Sequence, residues 1–315
     1  MSNHRIELDG VELTLSRPDE LNMQMVGFYD LQKQLEACWL SLEDGDLPLV
    51  PRLLGRPGVG KTTLAYAVGK KLSQEVYIFQ CTMDTRPEDL IITPVIGGGN
   101  SNASKSHAKL TPEIRYQASS LVTAMIRGGV AILDEGNRMS EKSWASLAPL
   151  FDNRRYVESI VAGLKIKAHP DFRCCVTMND DSSTFEVPEY IMSRLQPQIY
   201  VDFPNQNEEK EILRINLPYA EEALLDKMSA FLAHAHQFGE PFTSRDGIHI
   251  IRFARRIHHL QGIPLDKALE QAIKNVIGED ALNYLNPDYQ PSFNIMNDFW
   301  GQDTYEEDED DDELV

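Results

Sequence analysis

The chain has 315 residues, 42% hydrophobic and 25% charged, the balance of a soluble globular protein with room for a full core and two domains. No stretch is apolar for long enough to cross a bilayer, and the opening Met-Ser-Asn-His-Arg-Ile-Glu-Leu lacks the basic region and apolar core of a secretory signal, so a cytoplasmic protein without membrane contact is expected. The net charge of −19 is uneven: Asp303 and the eight acids from Glu306 to Glu313 supply nine charges, and the −10 left on the rest argues against general affinity for nucleic acid.

Residues 5–15 alternate apolar and polar side chains around Asp9-Gly10, which predicts a small β-ribbon ahead of the core, residues 1–18 in all. A helix from about Asp30 to Leu42 carries Leu31, Leu35, Cys38 and Trp39 on one face, and Asp44-Gly45-Asp46 breaks it. Leu49-Val50-Pro51-Arg52-Leu53-Leu54 then ends as a short apolar strand. From Thr63 to Leu72, the residues Leu64, Val68 and Leu72 recur four apart on a helical face.

Between that strand and helix lies Gly55-Arg56-Pro57-Gly58-Val59-Gly60-Lys61-Thr62-Thr63, which fits the phosphate-loop pattern G-x-x-x-x-G-K-[ST]. Glycines at 55, 58 and 60 let the backbone turn without a Cβ in the way, so successive N–H groups converge on phosphate oxygens at a helix start, where the dipole also favours negative charge. Lys61 is a point charge for the β- and γ-phosphates, and the Thr62 hydroxyl suits a Mg²⁺ that keeps most of its waters. Gly55, Pro57, Gly58, Val59, Gly60, Lys61, Thr62 and Thr63 are therefore the candidate nucleotide contacts, with ATP and Mg²⁺ as cofactors. A glycine turn without a ligand is the bland alternative, and the flanking strand and helix weigh against it.

Glu75 to Met83 reads as a second strand. Residues 86–96 lead into the polar, glycine-rich Gly97 to Ser106, expected as a mobile loop or an inert linker. A helix over 117–127 carries Leu121, Ala124 and Met125, and Gly129 to Leu133 is an apolar strand ending in Asp134 and Glu135. Such a strand delivers Asp134 to the outer shell of a magnesium held by Thr62, and Glu135 to the lytic water, which a carboxylate within hydrogen-bond reach can polarise. The next helix is capped by Ser140, shows Trp144, Leu147 and Phe151 on one face, and ends at Arg154-Arg155. Residues 156–166 suggest a hairpin, and Phe172 to Met178 a strand ending at Asn179. Asn179 is a turn former or, beside a γ-phosphate, a holder of water. Ser193-Arg194-Leu195 precedes a strand from Gln198 to Phe203.

Pro204-Asn205 marks a domain boundary by its turn chemistry, and the rest is helical. Apolar residues recur at helical spacing in three sets: Leu224, Met228 and Phe231; Ile250, Phe253, Ala254 and Ile257; Leu265, Ala268, Leu269 and Ala272. Ser244 is the expected cap of the middle helix. Arg245 falls in its first turn, where the dipole disfavours a cation unless an anion is near. The spacings of His234, His236, His258 and His259 point different ways on their helices and give no metal set. Cys38, Cys81, Cys174 and Cys175 lack metal spacing and read as buried thiols. The tail from residue 286 reads as solvated, disordered chain; the sharper alternative is a docking segment for a basic partner.

With these residues placed, the chain resembles the AAA+ ATPases, most closely the MoxR-like group, over roughly residues 20–280. The phosphate loop comes first, then the Walker B acids Asp134 and Glu135, then Asn137-Arg138 as in MoxR-like proteins. Asn179 resembles sensor 1, Arg194 the arginine finger, with Arg154 or Arg155 as substitutes, and Arg245 the sensor 2 arginine. The hairpin at 156–166 looks like the helix-2 insertion of that branch, while Gly136 departs from the usual apolar residue. The resemblance implies an α/β P-loop NTPase fold: a three-layer domain with a central parallel sheet over residues 19–204, then an all-α lid over 205–285. It implies an ATP-hydrolysing remodelling motor in a homo-oligomeric ring, expected as a hexamer, with Arg194 reaching a neighbour's γ-phosphate. It also implies a protein partner, often one with a von Willebrand factor A domain. The rivals are a slowly turning ATP-dependent switch or scaffold, and a nucleic-acid motor, which the acidic charge disfavours.

Overall fold

The computed structural model describes residues 4–21, 24–43, 45–97, 113–180 and 186–291. The chain opens as a hairpin of β1 (Arg5–Leu8) and β2 (Val11–Thr14), closed by Asp9 at φ 47° and Gly10 at φ 80°. Positive φ at both turn residues matches the twist of the flanking strands. Helix α1 (Tyr29–Trp39) buries Leu35, Cys38 and Trp39 and stops short of the exposed Leu42. Next come β3 (Arg52–Gly55), α2 (Lys61–Lys71), β4 (Val76–Gln80) and α3 (Pro87–Leu90). They are followed by β5 (Ile92–Gly97), β6 (Glu113–Ala118), α4 (Ser120–Arg127) and β7 (Val130–Asp134). Then α5 (Glu141–Leu147) leads to β8 (Tyr156–Ser159), β9 (Leu164–Lys167), β10 (Arg173–Asn179), α6 (Glu189–Met192) and β11 (Gln198–Tyr200).

The central sheet has the order β11-β3-β10-β7-β4, and every pairing is parallel. Both of its faces are covered, so its strands are apolar on both sides. Ala131, Leu133, Cys174 and Val176 face α4, while Val130, Ile132 and Cys175 face α1 and α2. Burial pushes the Cys38 thiol up to about 11 and Cys174 to about 12, which leaves them unreactive packing groups.

Two expectations are corrected by the second sheet, of order β1-β2-β6-β5. The N-terminal ribbon does not stand alone: Leu13 and Thr14 of β2 pair in parallel with Tyr116 and Gln117 of β6. The helix after β4 is split into α3 and α4 by the antiparallel pair β5–β6, so that pair is the insertion in the second helix of the core. The hairpin at 156–166 does form, as β8–β9, but it lies between α5 and β10 and interrupts no helix. Of the glycine-rich stretch Gly97–Ser106, residues 98–106 lie outside the described residues.

The lid consists of α7 (Gln206–Asn216), α8 (Glu222–Gln237), α9 (Ser244–Gln261) and α10 (Leu265–Val276). Leu213, Met228, Phe231, Ile250, Ala254 and Leu269 meet in its core. Phe253, read as part of the buried face, is 38% exposed. A 3₁₀ segment, Asp280–Leu285, and Tyr289 also pack on this core. The acidic residues 301–315 lie outside the described residues. No described helix is long and apolar enough to cross a membrane.

Candidate nucleotide site

Parallel pairing brings the site together at the carboxyl ends of the strands, where open α/β sheets place ligands. Asn179 of β10 is opposite Gly55 of β3, and Gln80 of β4 is opposite Asp134 of β7. Val176 is paired with Leu133, which sets Thr177 beside Asp134.

The phosphate loop leaves β3 at Gly55 and enters α2 through Gly60, at φ 103°. A Cβ at Gly55 would lie 2.1 Å from the Val201 carbonyl oxygen, so the loop must start on glycine. Lys61 is buried, and its Nζ donates to the Gly55 and Arg56 carbonyls, both at 2.8 Å, and to Asn179 Oδ1 at 2.9 Å. Thr62 Oγ1 donates to Asp134 Oδ1 at 2.5 Å, and Thr177 Oγ1 to the same oxygen at 2.7 Å. A hydroxyl and a carboxylate in contact are hard oxygen donors, which fit a magnesium bound mostly through water.

Glu135 stands at φ 56°, a left-handed conformation that turns its carboxylate out of the strand. Asn179 Nδ2 donates to its Oε1 at 3.1 Å and Gln80 Nε2 to its Oε2 at 3.2 Å. Arg138 Nε forms an ion pair with Oε2 at 2.6 Å. The Asn179 amide thus touches the phosphate-loop lysine with one end and the Glu135 acid with the other. Asn137 fixes that amide's backbone, donating through Nδ2 to the Asn179 carbonyl at 2.8 Å and accepting the Asn179 N–H at 3.3 Å. Gln80, Thr177 and the side-chain role of Arg138 were not foreseen from sequence. The contacts of Gln80 and Thr177 follow from strand order and register, for which the sequence carries no local signal, whereas Arg138 reaches Glu135 from three residues on.

The two candidate arginines stay outside this cluster. Arg194 Nε lies 3.3 Å from Asp152 Oδ2, and its guanidinium also donates to the Tyr190 carbonyl. Arg154 makes a two-pronged contact with the same Asp152, at 3.0 and 2.7 Å, and the two arginines hold that carboxyl down at about 2. Arg155 donates instead to the Phe172 carbonyl at 3.0 Å.

Arg245 is exposed in the first turn of α9. The cap of that helix is Thr243, not Ser244. Thr243 Oγ1 accepts the Asp246 N–H while the Asp246 carboxylate accepts the Thr243 N–H at 2.8 Å, a reciprocal box that Ser244, one residue later, has no geometry to make. Ser244 instead donates to Glu209 at 2.8 Å. The cap abuts the phosphate loop: a Cβ at Gly58 would meet Thr243 at 3.1 Å.

Residues 52–195 match the model of the AAA domain (dynein-related subfamily), a span that holds every site residue above except those of the lid. The chain is 26% identical over 161 residues, half of its length, to the uncharacterized protein YeaC of Bacillus subtilis (strain 168), and it spans 44% of that protein. It is similar in structure to a point mutant of Thermotoga maritima RuvB, with a TM-score of 0.53 and 16% identity over 81% of this chain and 72% of that one. It is also similar to the Thermotoga maritima RuvB Holliday junction branch migration motor, with a TM-score of 0.51 and 18% identity over 79% and 70% of the two chains. The chain thus has the fold of an AAA+ P-loop NTPase, with a central parallel sheet and a helical C-terminal region.

Proposed function

We propose that the chain is an AAA+ ATP hydrolase of the MoxR-like kind, which couples turnover to the remodelling or maturation of a protein partner. The observation that carries the hydrolytic part is the Asn179 bridge from Lys61 to Glu135, beside the Thr62–Asp134 contact. Loop N–H groups and Lys61 hold the β- and γ-phosphates, and Glu135 takes the proton of the water that attacks the terminal phosphorus. Asn179 orients that carboxylate against the phosphate cradle. Thr62 and Asp134 would hold Mg²⁺, directly and through water, and the ion would neutralise charge on the phosphate oxygens. Arg194 serves a neighbouring copy's site in a ring, proposed as a hexamer, and Arg245 supplies a cation from the lid. The partner class, a protein with a von Willebrand factor A domain, rests on the resemblance to the MoxR-like group. An acidic chain favours a protein partner over nucleic acid.

The test uses two variants. Lys61→Ala should lose ATP affinity in a titration. Glu135→Gln should keep ATP affinity while phosphate release falls by ~100-fold or more, the usual worth of a positioned general base. Full phosphate release from Glu135→Gln would place the base elsewhere.

A further inference from the structure

The inner face of α9, with Gly247, Ile250, Ile251, Ala254 and Ile257, is buried in the lid core. On its outer side Arg245, His249, Arg252, Arg256 and His259 recur at alternating spacings of four and three, which lines them up along one face. The row is roughly 20 Å long at ~1.5 Å per residue. Phe253, 38% exposed, and Leu260, 84% exposed, flank it. Several other bases of the lid are matched with acids: Lys210 with Glu222 and Asp226, Arg214 with Glu211 and Glu222, Lys227 with Asp266. Arg245, Arg252 and Arg256 have no hydrogen bond or ion pair among the described residues.

We propose that the acidic run of this same chain, Glu306 to Glu313, docks on the outer face of α9 through Arg252 and Arg256. Eight consecutive acids complement three arginines that nothing described neutralises. The tether begins on the lid itself, because Tyr289 packs edge-on against Tyr284 with ring centroids 5.3 Å apart. The stretch from Pro291 to Glu306 reaches roughly 50 Å when extended, at ~3.4 Å per residue, so every point of the row lies within range. Tethering raises the run's local concentration to about the millimolar level, which lets individually weak exposed pairs act together. Nucleic acid, the other polyanion that could use this row, lacks the tether and meets a body already carrying −10.

Helix α9 contains no lysine, so the full chain carrying Arg252→Lys and Arg256→Lys keeps both charges and gains amines that a zero-length carbodiimide can join to carboxylates. The expected product links position 252 or 256 to an acid within 306–313. Its yield should fall at least tenfold in about 0.5 M NaCl, where the screening length drops below ~5 Å. A link within one chain supports the docking and a link formed only between copies overturns it; mixing nitrogen-15 and unlabelled chains separates the two. The proposal is overturned if those amines join only carboxylates of the folded body, which would make the row a ring contact. It is also overturned if no link to 306–313 forms, or if single-stranded DNA protects the amines in a chain whose acidic run stays unlinked.

Discussion

A methyl group at Gly136 would lie 2.4 Å from Val176 Cγ1 and 3.2 Å from Trp144, and Val176 belongs to the strand that carries Thr177 and Asn179. The residue that departs from the family's apolar pattern is thus fixed by close packing. Gly136→Ala should cost ~1–3 kcal/mol by overpacking and should slow turnover more than it weakens ATP binding, since Glu135 and Asn137 flank it. Denaturant unfolding and steady-state kinetics check this; unchanged stability would mean that Trp144 yields freely. At this scale the strand, glycine turn and helix of the proposed phosphate loop were legible, because phosphate chemistry demands particular residues in one contiguous order. Gln80 and Thr177 were not legible, because they reach Glu135 and Asp134 across neighbouring strands whose order no local pattern encodes. The cap of α9 was missed by one residue: Thr243 and Ser244 are both good caps, and only the reciprocal bond to Asp246 selects between them.

Among elements, the joint between α7, α8 and α9 holds a buried acid. Glu209 is fully buried, and burial raises its carboxyl to about 7, offset in part by the Ser244 hydroxyl. His236 faces it at 3.8 Å, but burial lowers that imidazole below its ordinary value, so it lends no charge at neutral pH. His236 is held against the core by stacking on Phe203, with centroids 3.8 Å apart. The folded chain therefore keeps the Glu209 proton between pH 4.5 and about 7, whereas the unfolded chain has lost it. Stability falls as pH rises across that window, by up to about 3 kcal/mol. Glu209→Gln should gain on the parent by up to that amount between pH 5 and pH 8, read from denaturant midpoints at each pH. Parallel curves for parent and variant would rule out Glu209 as the titrating group. The sequence showed α8 and α9 through their apolar spacing but gave no sign of a buried Glu209, because its partners Ser244 and His236 come from two other helices. The β5–β6 insertion was hidden for a similar reason: its two strands are separated in sequence by residues 98–112.

For the whole molecule, the position of Arg194 bears on assembly. Its partners are Asp152 and Tyr190, and none of them belongs to the group formed by Lys61, Thr62, Asp134, Glu135 and Asn179. The proposed role of Arg194, meeting charge that develops on a terminal phosphate, therefore belongs to another copy's site, while Arg245 would serve from this chain's own lid. Asp152 binds Arg154 and Arg194 together, so both guanidinium groups are displayed from one surface. Two inactive variants separate the roles: Lys61→Ala keeps Arg194 but cannot hold ATP, while Arg194→Ala holds ATP but offers its neighbour no cation. When the two are mixed and allowed to exchange subunits, sites that pair an intact loop with an intact Arg194 should reappear, and phosphate release should recover to a fraction set by the mixing ratio. Exchange is verified separately by fluorescence transfer between labelled variants. Exchange without recovered turnover would show that each copy completes its site alone, and Arg194 would then be a structural partner of Asp152.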